Sequence, residues 1–122
     1  VILVDTSVWV DHLRTSDQEL VRLLSSLSVM AHPLVAGELA CGNIRNRSEI
    51  LKLLGNLPGA TVATDTETLY FIEQNQLMGR GIGYIDAHLL AAVSLTSPGC
   101  LWTRDKQLAR IADEMGLAYR PG

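Results

Sequence analysis

The chain has 122 residues, 48% of them hydrophobic, with 13 acids against 10 bases and a formal net charge of −3. This length suits one domain over residues 1–122, and the apolar content excludes wholesale disorder. The acidic balance argues against a domain that grips nucleic acid through net charge alone, and no apolar run approaches the roughly 20 residues of a bilayer-spanning helix. No cationic start followed by an apolar block suggests a secretory signal. Cys41 and Cys100 are far apart, lack metal-ligand spacing, and read as buried free thiols of a protein in a reducing cytoplasm.

Val1 to Val4 form an uninterrupted apolar run ending in Asp5-Thr6-Ser7. Such a run suits a strand buried on both faces of a parallel sheet. A short helix should follow from Ser7 to Leu13, broken by Thr15-Ser16-Asp17. Ser16 and Glu19 have capping-box spacing, which predicts a second helix from Asp17 to about Leu27, with Leu20, Leu23, Leu24 and Leu27 on one face. Ser28 to His32 reads as the second strand, and Pro33 opens a helix that ends at Gly42-Asn43. Another helix is expected from Arg45 to Leu54. Ala60 to Ala63 is a third strand candidate. Thr64 and Glu67 again have capping-box spacing and open a helix to about Met78. A glycine-dense loop, residues 79–83, precedes an almost wholly apolar helix that begins at Asp86. Cys100 to Thr103 is the fourth strand, Arg104 to Met115 the last helix, and Leu117 to Tyr119 a possible fifth, edge strand. The alternation predicts an α/β domain of three layers: a mainly parallel sheet of four or five strands with helices on both faces.

Four acids attract attention. Asp5 and Asp105 follow strands, and ligands in open parallel sheets bind beyond the strands' carboxyl ends. Glu38 shares a helical stripe with Leu34 and Val35, a costly place for a carboxylate without a partner or cation. Asp86 sits where the positive end of the buried helix favours its charge. The glycines before it lack the Lys of a P-loop and do not follow a strand, so they are not read as a nucleotide cradle. Two carboxylates about 5 Å apart repel by roughly 3 kcal/mol at an effective dielectric of about 20. Converging acids therefore call for protonation or a cation. All-oxygen ligation without His or Cys selects Mg²⁺ or Mn²⁺, which suits phosphodiester hydrolysis.

With these motifs in place the chain resembles the PIN-domain ribonucleases, most closely the VapC toxins of bacterial toxin–antitoxin pairs. The resemblance rests on the opening strand with Asp5-Thr6-Ser7, on Val35 to Gly42 with Glu38, on Gly81 to Ala92 with Asp86, and on Leu101 to Asp105 with its Thr-x-Asp ending. It implies a Mg²⁺- or Mn²⁺-dependent endoribonuclease. Asp5, Glu38 and Asp86 would be metal ligands, assisted by Asp105, with Ser7 and Thr103 orienting carboxylates or water. It further implies a homodimer and a cognate antitoxin that blocks the acidic pocket. Arg80 and Arg104 would lie near the mouth and offer phosphate contacts, within a basic rim that includes Lys106 and Arg110.

Other readings are weaker. A phosphoacceptor signalling domain would need a second acid beside Asp5, and a haloacid-dehalogenase-like phosphatase would need an Asp where Ser7 stands. A catalytically silent PIN-like binding module would show a lost acid, and none is lost. A DNA-directed nuclease of related fold stays open, because nothing in the residues reads a 2′-hydroxyl. Asp11, Asp17, Asp65, Glu67 and Glu73 fit helix caps and surfaces. His12, His32 and His88 have no metal or triad spacing, and His88 reads as a satisfied interior histidine. Trp9 and Trp102 read as core or dimer contacts.

Overall fold

A computed structural model describes residues 1–121. The opening apolar run forms β1 (Ile2–Val4), and all three of its residues are buried, so both faces of the strand are covered. Burial of side chains such as Leu3 and Val4 contributes about 1.5–3 kcal/mol each. β1 is the centre of the sheet. It pairs in parallel with β2 (Val29–Met30) on one side and β3 (Cys100–Trp102) on the other. Single parallel bridges continue the sheet outward, from Ala31 to Gly59 and from Leu101 to Ala118. Leu117 to Tyr119 therefore holds the edge as expected. The third strand candidate is displaced: the bridge falls at Gly59, before Ala60 to Ala63, because Ala31 bonds to Pro58 and Ala60.

Among the described residues seven helices surround this sheet: α1 (Thr6–Arg14), α2 (Gln18–Ser25), α3 (Pro33–Cys41), α4 (Arg47–Asn56), α5 (Asp65–Gln74), α6 (Tyr84–Leu95) and α7 (Lys106–Glu114). The strand order β2-β1-β3 means that the chain steps one way from β1 to β2 and later returns to the other side for β3. The carboxyl ends of β1 and β3 flank this reversal, where open α/β sheets place ligands.

Several local expectations need correction. The cap of α2 is Asp17, whose carboxylate accepts the Leu20 amide, so Ser16 plays no part in a capping box. Leu27 is not on the buried face of α2. It is 87% exposed with φ of 58°, and lies at the left-handed position of a helix-ending turn in which Ser28 bonds to the Leu23 carbonyl and Leu27 to that of Leu24. Gln76 ends α5 in the same way, which stops that helix at Gln74 rather than Met78. The capping box of Thr64 and Glu67 forms with both bonds in place. α4 starts at Arg47, after Asn46 in a left-handed conformation, and runs through Gly55 to Asn56. The last helix begins at Lys106, because Asp105 is its cap. Both cysteines are free, but Cys41 is exposed and Cys100 only half-buried. Trp9 and Trp102 are core residues.

α6 is buried from Ala87 to Val93, as a helix through the middle of the domain must be. The loop before it is held by α7: Gln107 donates to the Arg80 carbonyl at 2.9 Å, and Arg80 pairs with Glu114. Gly79 and Gly81 take positive φ of 70° and 84°, a conformation that favours glycine. This anchored loop fixes where α6 begins, and so where Asp86 stands.

Candidate active site

Asp5 ends the central strand, and its amide still bonds to the Trp102 carbonyl at 2.9 Å. Its side chain is nearly buried and fully engaged. One oxygen accepts the Thr6 amide at 2.8 Å; the other accepts the Ser7 hydroxyl at 2.9 Å and the Thr103 hydroxyl at 2.7 Å. Both hydroxyls are oriented in turn. The Arg104 amide donates to Ser7 Oγ at 3.0 Å and the Asp105 amide to Thr103 Oγ1 at 3.1 Å. Each hydroxyl has one proton and two lone pairs, so accepting from an amide leaves its proton for Asp5. Asp5 is both the cap of α1 and a carboxylate locked in place.

Glu38 departs from the expected geometry. It is exposed, while Val35 and Leu39 make the buried face of α3. Its Oε1 accepts the Thr6 hydroxyl at 2.7 Å, which ties α3 to the start of α1. Thr6 is the neighbour of Glu38 that sequence reasoning missed. Its signal was its place in the Asp5-Thr6-Ser7 run, but only the fold shows which acid it faces. Asp105 caps α7 by accepting the Leu108 amide at 2.9 Å.

Asp86 accepts the Gly83 amide at 3.2 Å. Burial raises its pKa above the usual aspartate value against that bond, and the charges of Asp5, Asp105 and Glu38 raise it further. Acids from the ends of β1 and β3, from α3 and from α6 therefore share one field at Asp86. Among the described residues no group of three or more His, Cys, Asp or Glu side chains stands close enough to hold a metal ion. The donor set fits a hard, water-rich cation: Mg²⁺ is typically held by one or two carboxylates and keeps several waters.

The two arginines offered as phosphate contacts are already engaged. Arg104 reaches Asp11 at 2.6 Å and Asp17 at 2.5 Å, with its guanidinium 5.7 Å from the Trp102 ring centre. Arg80 contacts both oxygens of Glu114 at 3.0 Å. The set-aside Asp65 is more than a surface acid, since it accepts from Tyr84 at 2.7 Å and lies 3.0 Å from His88 Nε2. His88 Nδ1 is 3.2 Å from Thr68, so this buried histidine is satisfied. A cavity of about 520 Å³ between α5 and α6 is lined by Tyr70, Phe71 and Leu95 and holds none of the four acids.

The family model of the PIN domain matches residues 2–114 of the chain, a span that holds all four acids. The chain belongs to the PIN-domain family. Two curated relatives, each described as Ribonuclease VapC32, come from Mycobacterium tuberculosis strains CDC 1551 / Oshkosh and ATCC 25618 / H37Rv. Each is 48% identical over 117 residues, covering 96% of this chain and 94% of the relative.

Proposed function

We propose that this PIN domain is an endoribonuclease that hydrolyses RNA phosphodiester bonds, the toxin of a toxin–antitoxin pair. The observation that carries the reading is the Asp5 carboxylate held by Ser7 and Thr103 at the end of the central strand, with Thr6 contacting both it and Glu38. VapC-type PIN ribonucleases are generally divalent-metal enzymes. The proposed ion is Mg²⁺ or Mn²⁺, held by Asp5, Glu38 and Asp86 with Asp105 assisting. When bound, such an ion supplies an activated water and neutralises charge developing on the phosphate.

The chain's own residues do the rest. Ser7 and Thr103 hold the Asp5 carboxylate in one orientation, so its position is set before substrate arrives. Thr6 does the same for Glu38. Asp105, fixed by the first turn of α7, faces the site from the strand beside Asp5. The partners in this reading are an RNA substrate, a cognate antitoxin and a second copy of the chain in a homodimer. The reading treats residues 1–122 as a single PIN domain and its setting as the cytoplasm. No helix among the described residues is long and apolar enough to cross a membrane.

The test is cleavage of labelled structured RNA by antitoxin-free protein with Mg²⁺, Mn²⁺ or EDTA, beside Asp86→Asn. The expected result is metal-dependent cutting that the variant loses. Equal cutting by both proteins would overturn the assignment of Asp86. Binding without cutting under all conditions would point to a silent binding module, and cleavage of DNA alone to the related nuclease class.

A further inference from the structure

Beyond its Asp105 cap, helix α7 carries its charges against its own dipole. Its first turn has no acid and its last turn no base. Instead Lys106 sits at the positive end, and Asp113 and Glu114 at the negative end. Charges so placed destabilise a helix. The acids are compensated, because Arg120 pairs with Asp113 and Arg80 with Glu114. Lys106 is not. Of the chain's 10 bases, Arg22, Arg80, Arg104 and Arg120 stand in ion pairs among the described residues. Lys106 and Arg110 are exposed and make no ion pair or side-chain hydrogen bond among those residues.

These two cations share one face of α7, four residues or about 6 Å of helix apart. They line a groove of about 470 Å³ with Tyr119 and the paired Asp113 and Arg120, between α7 and the sheet's edge. Lys106 stands at the end of the groove where α7 starts, one residue after Asp105. An acidic protein with an acidic centre repels a polyanion unless part of its surface attracts it.

We propose that the RNA strand leaves the active site along α7, with Lys106 and Arg110 contacting successive backbone phosphates. The basic rim is then one-sided: Arg80 and Arg104 brace the fold, while the α7 groove carries the substrate's flank. This inference rests on the ribonuclease reading above. A phosphate track needs cations that are free to exchange counterions, and these two are.

The test is fluorescence anisotropy of a labelled, mixed-sequence single-stranded RNA across a salt series. It compares the unmodified protein with the Lys106→Gln/Arg110→Gln variant and an Arg14→Gln/Arg45→Gln control. Losing two phosphate contacts lowers the slope of log affinity against log salt by about 1.4, so affinity falls about sevenfold less between about 50 and 200 mM salt. The control should keep the full slope. An unchanged salt slope in the α7 variant overturns the track, as does an α7 variant that keeps RNA binding but loses an acidic peptide. If the unmodified protein cuts RNA and only the slope prediction fails, the ribonuclease reading stands. If the unmodified protein neither binds nor cuts RNA, both fail.

Discussion

Two threonines and a serine decide how the carboxylates stand. Ser7 and Thr103 both donate to one oxygen of Asp5, and Thr6 donates to Glu38. The Thr6 hydroxyl bond to Glu38 spans 32 residues of sequence, and the Thr6 amide donates to Asp5, so this one residue touches both acids. Thr6→Val keeps the shape and removes the donor. The expected outcome is about a tenfold loss of single-turnover cleavage, with a higher Mg²⁺ requirement, on the scale of other groups that orient metal ligands. Thr6→Ser should restore most of both. A Thr6→Val enzyme with unchanged metal titration would remove Thr6 from the site. Asp5, Asp86 and Asp105 were legible as candidates from their places after strands or before a helix. The burial of Glu38 was misjudged, since Leu34 and Val35 do not lie equally deep. Rotation of a helix about its axis depends on what packs against it, and spacing alone does not carry that.

At the scale of elements, the start of α3 is unusual. His32 caps it, with Nδ1 accepting the Leu34 amide at 3.0 Å. The ring is therefore the Nε2–H tautomer, and Nε2 is buried with no partner among the described residues. Burial, and then the neighbouring His88, push the His32 pKa below its ordinary value of 6.5. The sign follows from proton counting. Below about pH 6.5 the unfolded chain takes up a proton that the folded His32 resists, so stability falls as pH drops from there toward the folded-state pKa. The slope contributed is at most about 1.4 kcal/mol per pH unit. His32→Asn keeps a good cap and removes the titration. Urea unfolding from about pH 7 to about pH 5.5 should show a flatter pH dependence for the variant. An identical slope in both proteins would refute this account.

For the molecule as a whole, the acid cluster sets stability against function. Burial and three acidic neighbours outweigh the Gly83 bond at Asp86, so its charged form is disfavoured in the folded state. A raised carboxyl pKa means that stability declines as pH rises from the unfolded value through the folded one. Asp86→Asn removes that penalty. The expected outcome without metal is a melting temperature higher by about 5 °C, given repulsions of about 1–3 kcal/mol before screening. Mg²⁺ should raise the melting temperature of the unmodified protein and have little effect on the variant. Scanning calorimetry with Mg²⁺ and with EDTA checks both. A variant no more stable than its parent would mean that the acids are better solvated than their shared field indicates.

What the sequence determined by itself was local and periodic. The buried opening strand, the Thr64–Glu67 capping box, Pro33 at a helix start and the apolar stretch of α6 all follow from the preferences of neighbouring residues. So did the parallel α/β order and the places of Asp5, Asp86 and Asp105. Tertiary structure decided everything that joins distant segments. It chose Asp17 over Ser16 as a cap, since Asp17 also meets Arg104. It turned Leu27 out into solvent, and it moved the outer bridge to Gly59. It engaged Arg80 and Arg104 in ion pairs and left Lys106 and Arg110 free, a distinction that ten similar charges in a row of letters do not show. The reason is physical: caps and periodicity are settled within a turn of helix, whereas a charge's partner, a helix's rotation and the field at Asp86 depend on chain segments brought together only by folding.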